Sequence, residues 1–256
     1  MINYVSLRPN LIKQVTNMDY EEITNVVQRE RELEMSAAFP ILMRKVYVWM
    51  SLALVITGFT AYYVAHNETL LTALVTNQIL FWGLVIAELA LVIGLSAAIN
   101  KLSLTTATLM FVLYSVINGA TMSFIFLVYT YSSITNVFFI TAGTFAAMAV
   151  FGYFTKADLS SMGKILMMAL IGIIIATIVN IFTKSEGLAV ILNYLGVLVF
   201  VGLTAYDSQK IKQMLAQAPD AGETAQKLAL LGALSLYLDF INLFLYLLRI
   251  FGTRRD

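Results

Sequence analysis

Seven uninterrupted apolar runs, each about as long as a bilayer is thick, constrain this chain more than any other feature. They are Val46–Ala65, Ile79–Ile99, Leu109–Tyr129, Ile134–Phe154, Ile165–Phe182, Leu188–Tyr206 and Leu228–Phe251. About 20 apolar residues in a helix cross the hydrocarbon core. Lipid offers no partner to a backbone N–H or C=O, so a spanning segment must satisfy its own groups, as a helix does. A β-barrel would show alternating segments of about ten residues, whereas these runs are continuous. Of 256 residues, 60% are hydrophobic and 12% charged, against about 25% charged in a soluble domain. A soluble fold of this length has no interior for so much apolar surface. The expected fold is all-α and integral to the membrane. A polar tail 1–45 precedes a seven-helix domain over 46–252, and a short tail, 253–256, follows it. The polar stretch ahead of Val46 is too long for the n-region of a cleavable signal, so no signal peptide is expected.

Charge orients the bundle. Arg8, Lys13, Arg29, Arg31, Arg44 and Lys45 precede span 1, Lys101 follows span 2, Lys156 and Lys164 flank the 4–5 loop, and Lys210, Lys212 and Lys227 lie between spans 6 and 7. The 1–2 and 3–4 loops have no basic residue, and the 5–6 loop has only Lys184. The positive-inside rule then places the N-terminus in the cytosol. Arg249, Arg254 and Arg255 conflict with it, because seven crossings put them outside; the reading taken is that span 7 nonetheless crosses. Pro9, Pro40 and Pro219 are the only prolines, and none falls inside an apolar run. That weakens a broken-helix transporter, whose site relies on interrupted helices. Gly143 and Ala147, and Gly172, Ala176 and Asn180, repeat every four residues and read as packing faces. The mixed-sign run Asp19–Glu34 reads as a solvated or surface-lying helix.

Lipid rejects charge: an acid at mid-bilayer costs at least about 2.5–3.5 kcal/mol on insertion scales. Three carboxylates nevertheless sit in or at spans. Asp239 lies mid-way along span 7, with Gly232, Ser235, Asn242, Tyr246 and Arg249 at three- and four-residue steps. These make one polar stripe on an otherwise apolar helix, which suits a helix surrounded by others, its stripe facing a cavity or a neighbour. Asp207 closes span 6, where it can be functional or simply paired with Lys210 or Lys212. Glu88 sits mid-way in span 2 with no basic residue in its own run; it can line a path or donate a hydrogen bond in the core. Two buried acids side by side cannot both ionise cheaply, so such a pair titrates in two coupled steps and makes a pH switch. Deprotonated, it offers the hard oxygen ligands that Ca²⁺ takes. Asp207 and Asp239 meet only if span 6 stays helical beyond Tyr206 or span 7 begins deeper than its apolar run. His66 reads as solvated, and Asn118, Asn180 and Asn193 as interhelical glue.

Other chemistries lack their residues. There is no cysteine and one histidine, and the net charge is +1. No thiolate or histidine metal site, no serine triad, no phosphate loop and no nucleic-acid field is expected. No cofactor is expected either.

Five stretches, taken in order, resemble the Bax inhibitor family of membrane proteins over about Pro40–Gly252. They are Glu88–Ser96 (ELALVIGLS), Gly119–Phe126 (GATMSFIF), Thr155–Lys164 (TKADLSSMGK), Ala205–Ile211 (AYDSQKI) and Leu236–Phe244 (LYLDFINLF). The resemblance implies two three-helix layers around a central C-terminal helix. It also implies a pH-sensitive calcium leak with an aspartate pair as sensor and transient Ca²⁺ ligands; by motif match these are Asp207 and Asp239. Family members often carry an arginine late in span 2 that latches onto the span-6 aspartate. Here Ala97-Ala98-Ile99-Asn100-Lys101 stands there, so Lys101 is the candidate latch cation, without the bidentate fork of a guanidinium.

Three readings follow. The first is a pH-gated Ca²⁺ leak in a bacterial plasma membrane, with Glu88, Ser235, Asn242 and Tyr246 as pore or gate residues and Ca²⁺ and H⁺ as the species handled. The second is a regulator that binds other membrane proteins, as family members that suppress cell death or restrain membrane proteases do. The third is a di-aspartyl intramembrane protease, disfavoured because Leu236-Tyr237-Leu238, and not glycines, precedes Asp239. The expectation is that the chain is not an enzyme.

Overall fold

A computed structural model of the chain describes residues 20–218 and 222–255. Arg8, Pro9, Lys13, Asp19 and Pro219 lie outside these residues, as do the side chains of Arg31 and Glu34. The described residues form helices α1 (Tyr20–Ala65), α2 (Glu68–Thr76), α3 (Gln78–Ala98), α4 (Leu104–Met122), α5 (Ile125–Val128), α6 (Tyr131–Phe154), α7 (Ser160–Thr183), α8 (Glu186–Ala216) and α9 (Glu223–Phe251). Seven of the segments are long and apolar enough to span a bilayer, α4 and α5 counting together as one.

The helices outrun the apolar runs because caps, and not hydrophobicity, end them. Asn77, Ser103, Thr130 and Ser185 each accept a backbone N–H of the first turn with the side-chain oxygen, which satisfies one of the orphan donors there. Asn67 caps α2 in the same way, so the 1–2 loop holds a short helix that its composition did not announce. The first helix runs 46 residues without a break at residue 45 and passes through Pro40. At 1.5 Å per residue it is about 69 Å long, over twice the hydrocarbon thickness, so its N-terminal half projects beyond the span. Span 3 is broken at Ser123, whose N–H and hydroxyl both turn back to the Ala120 carbonyl.

α9 is the axis of the bundle. Two-thirds of its most apolar stretch (67%) is buried, against 6% for α3 and for α7. It packs on α8, α1, α6 and α4. The two groups around it share one plan. In the first, α1 packs on α4 and α3 leans on α4; in the second, α6 packs on α8 and α7 leans on α8. A glycine closes each tight pair. A Cβ on Gly119 would stand 2.6 Å from the Thr57 carbonyl oxygen, and one on Gly152 would overlap the Ala205 carbonyl. The expected packing glycines Gly143 and Gly172 do not pack: no atom lies within 4 Å of a Cβ built on either, and both face outward. Four-residue spacing marks a face without saying what covers it, and lipid covers these. Asn180 is likewise not interhelical glue. Its side-chain oxygen accepts from Thr183 and from the Ser185 N–H, closing the 5–6 loop.

Span 7 crosses the whole bundle. At its start, Lys227 donates to the Leu102 carbonyl and Glu223 accepts the Leu104 N–H. Beyond its end, Thr253 donates to the Ser133 hydroxyl and Arg254 bridges Tyr129. The arginine conflict has a local answer. Arg255 donates to the Phe126 carbonyl at 3.0 Å and lies over the Tyr131 ring, so it caps the exposed C-terminal carbonyls of span 3.

Candidate functional site

The Tyr206-Asp207-Ser208-Gln209 segment explains itself once α8 is seen to be helical to Ala216. Successive residues point about 100° apart around a helix, and α8 has a neighbour on nearly every side. Tyr206 lies where a Cβ on Gly163 of α7 would be. Ser208 shares a hydrogen bond of 3.1 Å with Tyr47 of α1. Gln209 clamps the 4–5 loop from both sides, donating to the Ala157 carbonyl (2.8 Å) and accepting the Leu159 N–H (2.9 Å). Asp207 is left to face α9.

There it lines a cavity of about 250 Å³ with Ser96 of α3, Lys210 of α8, and Gly232 and Ser235 of α9. Ser235 is its hydrogen-bonding neighbour, and the charge of Lys210 reaches it. Asp239, one helical turn beyond Ser235, is 5% exposed. Its Oδ2 is buried with no partner among the described residues. Asp207 and Lys210 both lie within its electrostatic reach. The helical continuation of span 6 is what brings the two acids together. A buried carboxylate oxygen with nothing to bond is costly to keep, so this position carries a constraint that core packing does not supply.

The rest of the polar stripe divides. Gly232 takes Ile211 against its backbone, and Tyr246 fills the space over Gly196 and stacks on Phe200. Asn242 turns back to the Leu238 carbonyl, and Arg249 lies over Tyr246. Gly232 and Tyr246 make a seam with α8, Asn242 and Arg249 are engaged within α9 itself, and of the stripe only Gly232 and Ser235 line the cavity with Asp207. Lys101 sits exposed in the turn after α3 and does not line the Asp207 cavity. Ser96, which does, is five residues earlier, about 7.5 Å along the axis. Lys212, the other cation considered for Asp207, instead donates to the Tyr153 carbonyl and sits over its ring.

Glu88 belongs to a second polar system on the opposite face of α9. It accepts from Thr121 at 2.6 Å and from Asn118 at 3.5 Å. The Asn118 oxygen accepts from the Tyr237 hydroxyl at 2.9 Å, and Tyr237 pairs with Thr57 at 2.7 Å. Thr57 in turn reaches the Ser115 carbonyl. One chain of bonds thus ties α3, α4, α9 and α1, and Asn118 is interhelical glue as expected. Tyr237 is fully buried, with the edges of Phe111 and Tyr114 against it. Its signal in the sequence was its place two residues before Asp239, which turns it about 200° away on the helix. His66 is exposed, but both ring nitrogens are engaged, by the Tyr62 carbonyl and the Tyr131 hydroxyl. Among the described residues no three metal-ligating side chains come together.

Fold and site define a seven-helix membrane protein whose central C-terminal helix carries a buried acid against a second acid on its neighbour. The chain belongs to the Bax inhibitor family: the profile described as "Inhibitor of apoptosis-promoting Bax1" matches residues 40–256. Inner membrane protein YbhL of Escherichia coli K12 is 54% identical over 215 residues, 83% of this chain and 92% of that protein. An uncharacterized protein of Borreliella burgdorferi is 44% identical over 232 residues, 91% of this chain and 99% of its own length. Uncharacterized protein RP147 of Rickettsia prowazekii is 42% identical over 216 residues, 84% and 90% of the two chains.

Proposed function

We propose that the protein is a pH-sensitive Ca²⁺ leak of the plasma membrane, with Asp207 and Asp239 as proton sensor and passing cation ligands. The observation that carries the reading is the unpartnered Asp239 oxygen beside the Asp207 cavity. Ionised, the pair presents oxygen ligands to a divalent cation; protonated, it presents neutral carboxyls, and that attraction is gone. Lys210 competes with the cation for Asp207, Ser235 supplies a neutral polar contact, and Ser96 faces the same space. Two carboxylates fall well short of the six to eight oxygens of a storage site, which suits a passing ion. The work is conduction, not bond-breaking. The charge-rich end, with the N-terminus, faces the cytosol by the positive-inside rule, and YbhL, an inner membrane protein by name, supports the plasma membrane.

The test is Ca²⁺ entry into liposomes, followed with a trapped dye from about pH 5 to about pH 8. Flux should bend with pH in the native protein and lose that bend in the Asp207→Asn, Asp239→Asn double variant. No flux at any pH would refute the leak.

A further inference from the structure

A second cavity lies remote from the acids. It is a groove of about 860 Å³ between α1 and α6, with Phe240 of α9 among its lining. α1 and α6 are not a closely packed pair, and small residues line the gap, Gly58 on one wall and Ala142 and Ala146 on the other. The groove follows one stripe of α1 from Pro40 to Gly58, about 27 Å at 1.5 Å per residue. From Val46, where the apolar run begins, to Gly58 it borders about 18 Å of the span.

Its chemistry is one-ended. Arg44 is the only charged residue in the lining, and it lies at the Pro40 end with Tyr47 and Tyr153. Arg44 is exposed and forms no ion pair among the described residues. A second cation, Lys212, lies 4.9 Å from the Tyr153 ring centre at the same end. The remainder is apolar apart from Ser51. An apolar slot with a cationic mouth at the depth of the headgroups matches an anionic phospholipid: guanidinium binds phosphate oxygens in pairs, and the acyl chain fills the slot.

A volume in the range of small-molecule sites, about 300–1,000 Å³, together with a single cation at one end, favours the lipid over a partner helix. We propose that the α1–α6 groove is a binding site for one anionic phospholipid of the leaflet bordering Arg44, its phosphate on Arg44 and its acyl chain along Gly58, Ala142 and Ala146.

The experiment is native mass spectrometry of the full-length protein, released from micelles holding equal amounts of phosphatidylglycerol and phosphatidylcholine. The native protein should retain one phosphatidylglycerol in preference to phosphatidylcholine. Arg44→Gln should lower that preference about fivefold, the worth of one surface cation toward anionic lipid. Ala146→Phe, which fills the slot, should remove the adduct. Gly58→Leu should do the same from the other wall, where nothing lies within 4 Å of the new Cβ, so a folding defect in the first variant leaves the test intact. Ile171→Phe on the lipid-facing side of α7 should retain the adduct. Equal retention of the two lipids by the native protein, or an adduct that survives both filling variants, overturns the site. So does a concentration-dependent dimer that the filling variants abolish without changing lipid retention, since a second copy would then be the occupant.

Discussion

Replacing Tyr237 with phenylalanine isolates one hydroxyl at the axis of the bundle. The ring stays, so its edge contacts with Phe111 and Tyr114 stay. What goes is the donor to Asn118 and the partner of Thr57. Thr57 keeps the Ser115 carbonyl, but the Asn118 oxygen is left in the core with nothing to accept from. An orphaned buried acceptor costs about 1–3 kcal/mol, and in a domain of this size that lowers Tm by several degrees. The assay is thermal unfolding in detergent, with Asn118→Leu and the double variant beside it. Removing both partners removes the orphan, so the double variant should lose less than the two single losses added together. The pH dependence of Ca²⁺ flux should not move, because Tyr237 and Asp239 stand on opposite faces of α9. An unchanged Tm in Tyr237→Phe, or strictly additive losses, would refute the network.

Four further outcomes are expected. Gln209→Leu should destabilise by about 1–3 kcal/mol and speed amide exchange over residues 156–160, since the Leu159 N–H and the Ala157 carbonyl both lose their partner; unchanged exchange would contradict the clamp. Gly152→Val should cost about 1–3 kcal/mol or more by overpacking, whereas Gly143→Ala should stay within about 0.5 kcal/mol, both read from Tm. The Ser160 hydroxyl and then its N–H hold the exposed Asp158 carboxyl below the ordinary carboxylate range. That contribution is present above the unfolded carboxylate range and is lost as pH falls through the lower folded value, so exchange at the start of α7 should quicken on acidification, and not in Asp158→Asn. Deleting residues 253–256 should expose the end of span 3, because Arg255 and Thr253 bind Phe126 and Ser133; protease cleavage in the 3–4 loop reports it.

Hydrophobicity made the seven spans legible, and the polar stripe on an all-round apolar segment marked α9 as the surrounded helix. The packing glycines were not legible. Gly143 and Gly152 look alike in sequence, and only the partner across the gap tells a lipid-facing glycine from one pressed on Ala205. Helix ends were underestimated for a different reason: Ser103, Thr130 and Ser185 are polar, so a count of apolar residues stops before the caps that fix them. The two acids were legible as misfits in lipid, but not as neighbours. Their meeting depends on α8 continuing past Tyr206, through residues whose polarity looks like a loop and whose side chains are in fact spoken for by α7, α1, α9 and the 4–5 loop. Lys101 was placed by its charge, whereas the geometry puts Lys210 beside Asp207.

The central claim is that Asp207 and Asp239 act as one titrating unit that controls cation passage. The most direct measurement is the pH profile of Ca²⁺ flux in liposomes for the native protein, each single Asp→Asn variant and the double variant. A coupled pair predicts that each single variant displaces the midpoint, because the remaining carboxyl titrates without its neighbour, and that the double variant loses the pH dependence. A midpoint that neither single variant moves, or a double variant that keeps the native pH profile, would contradict it.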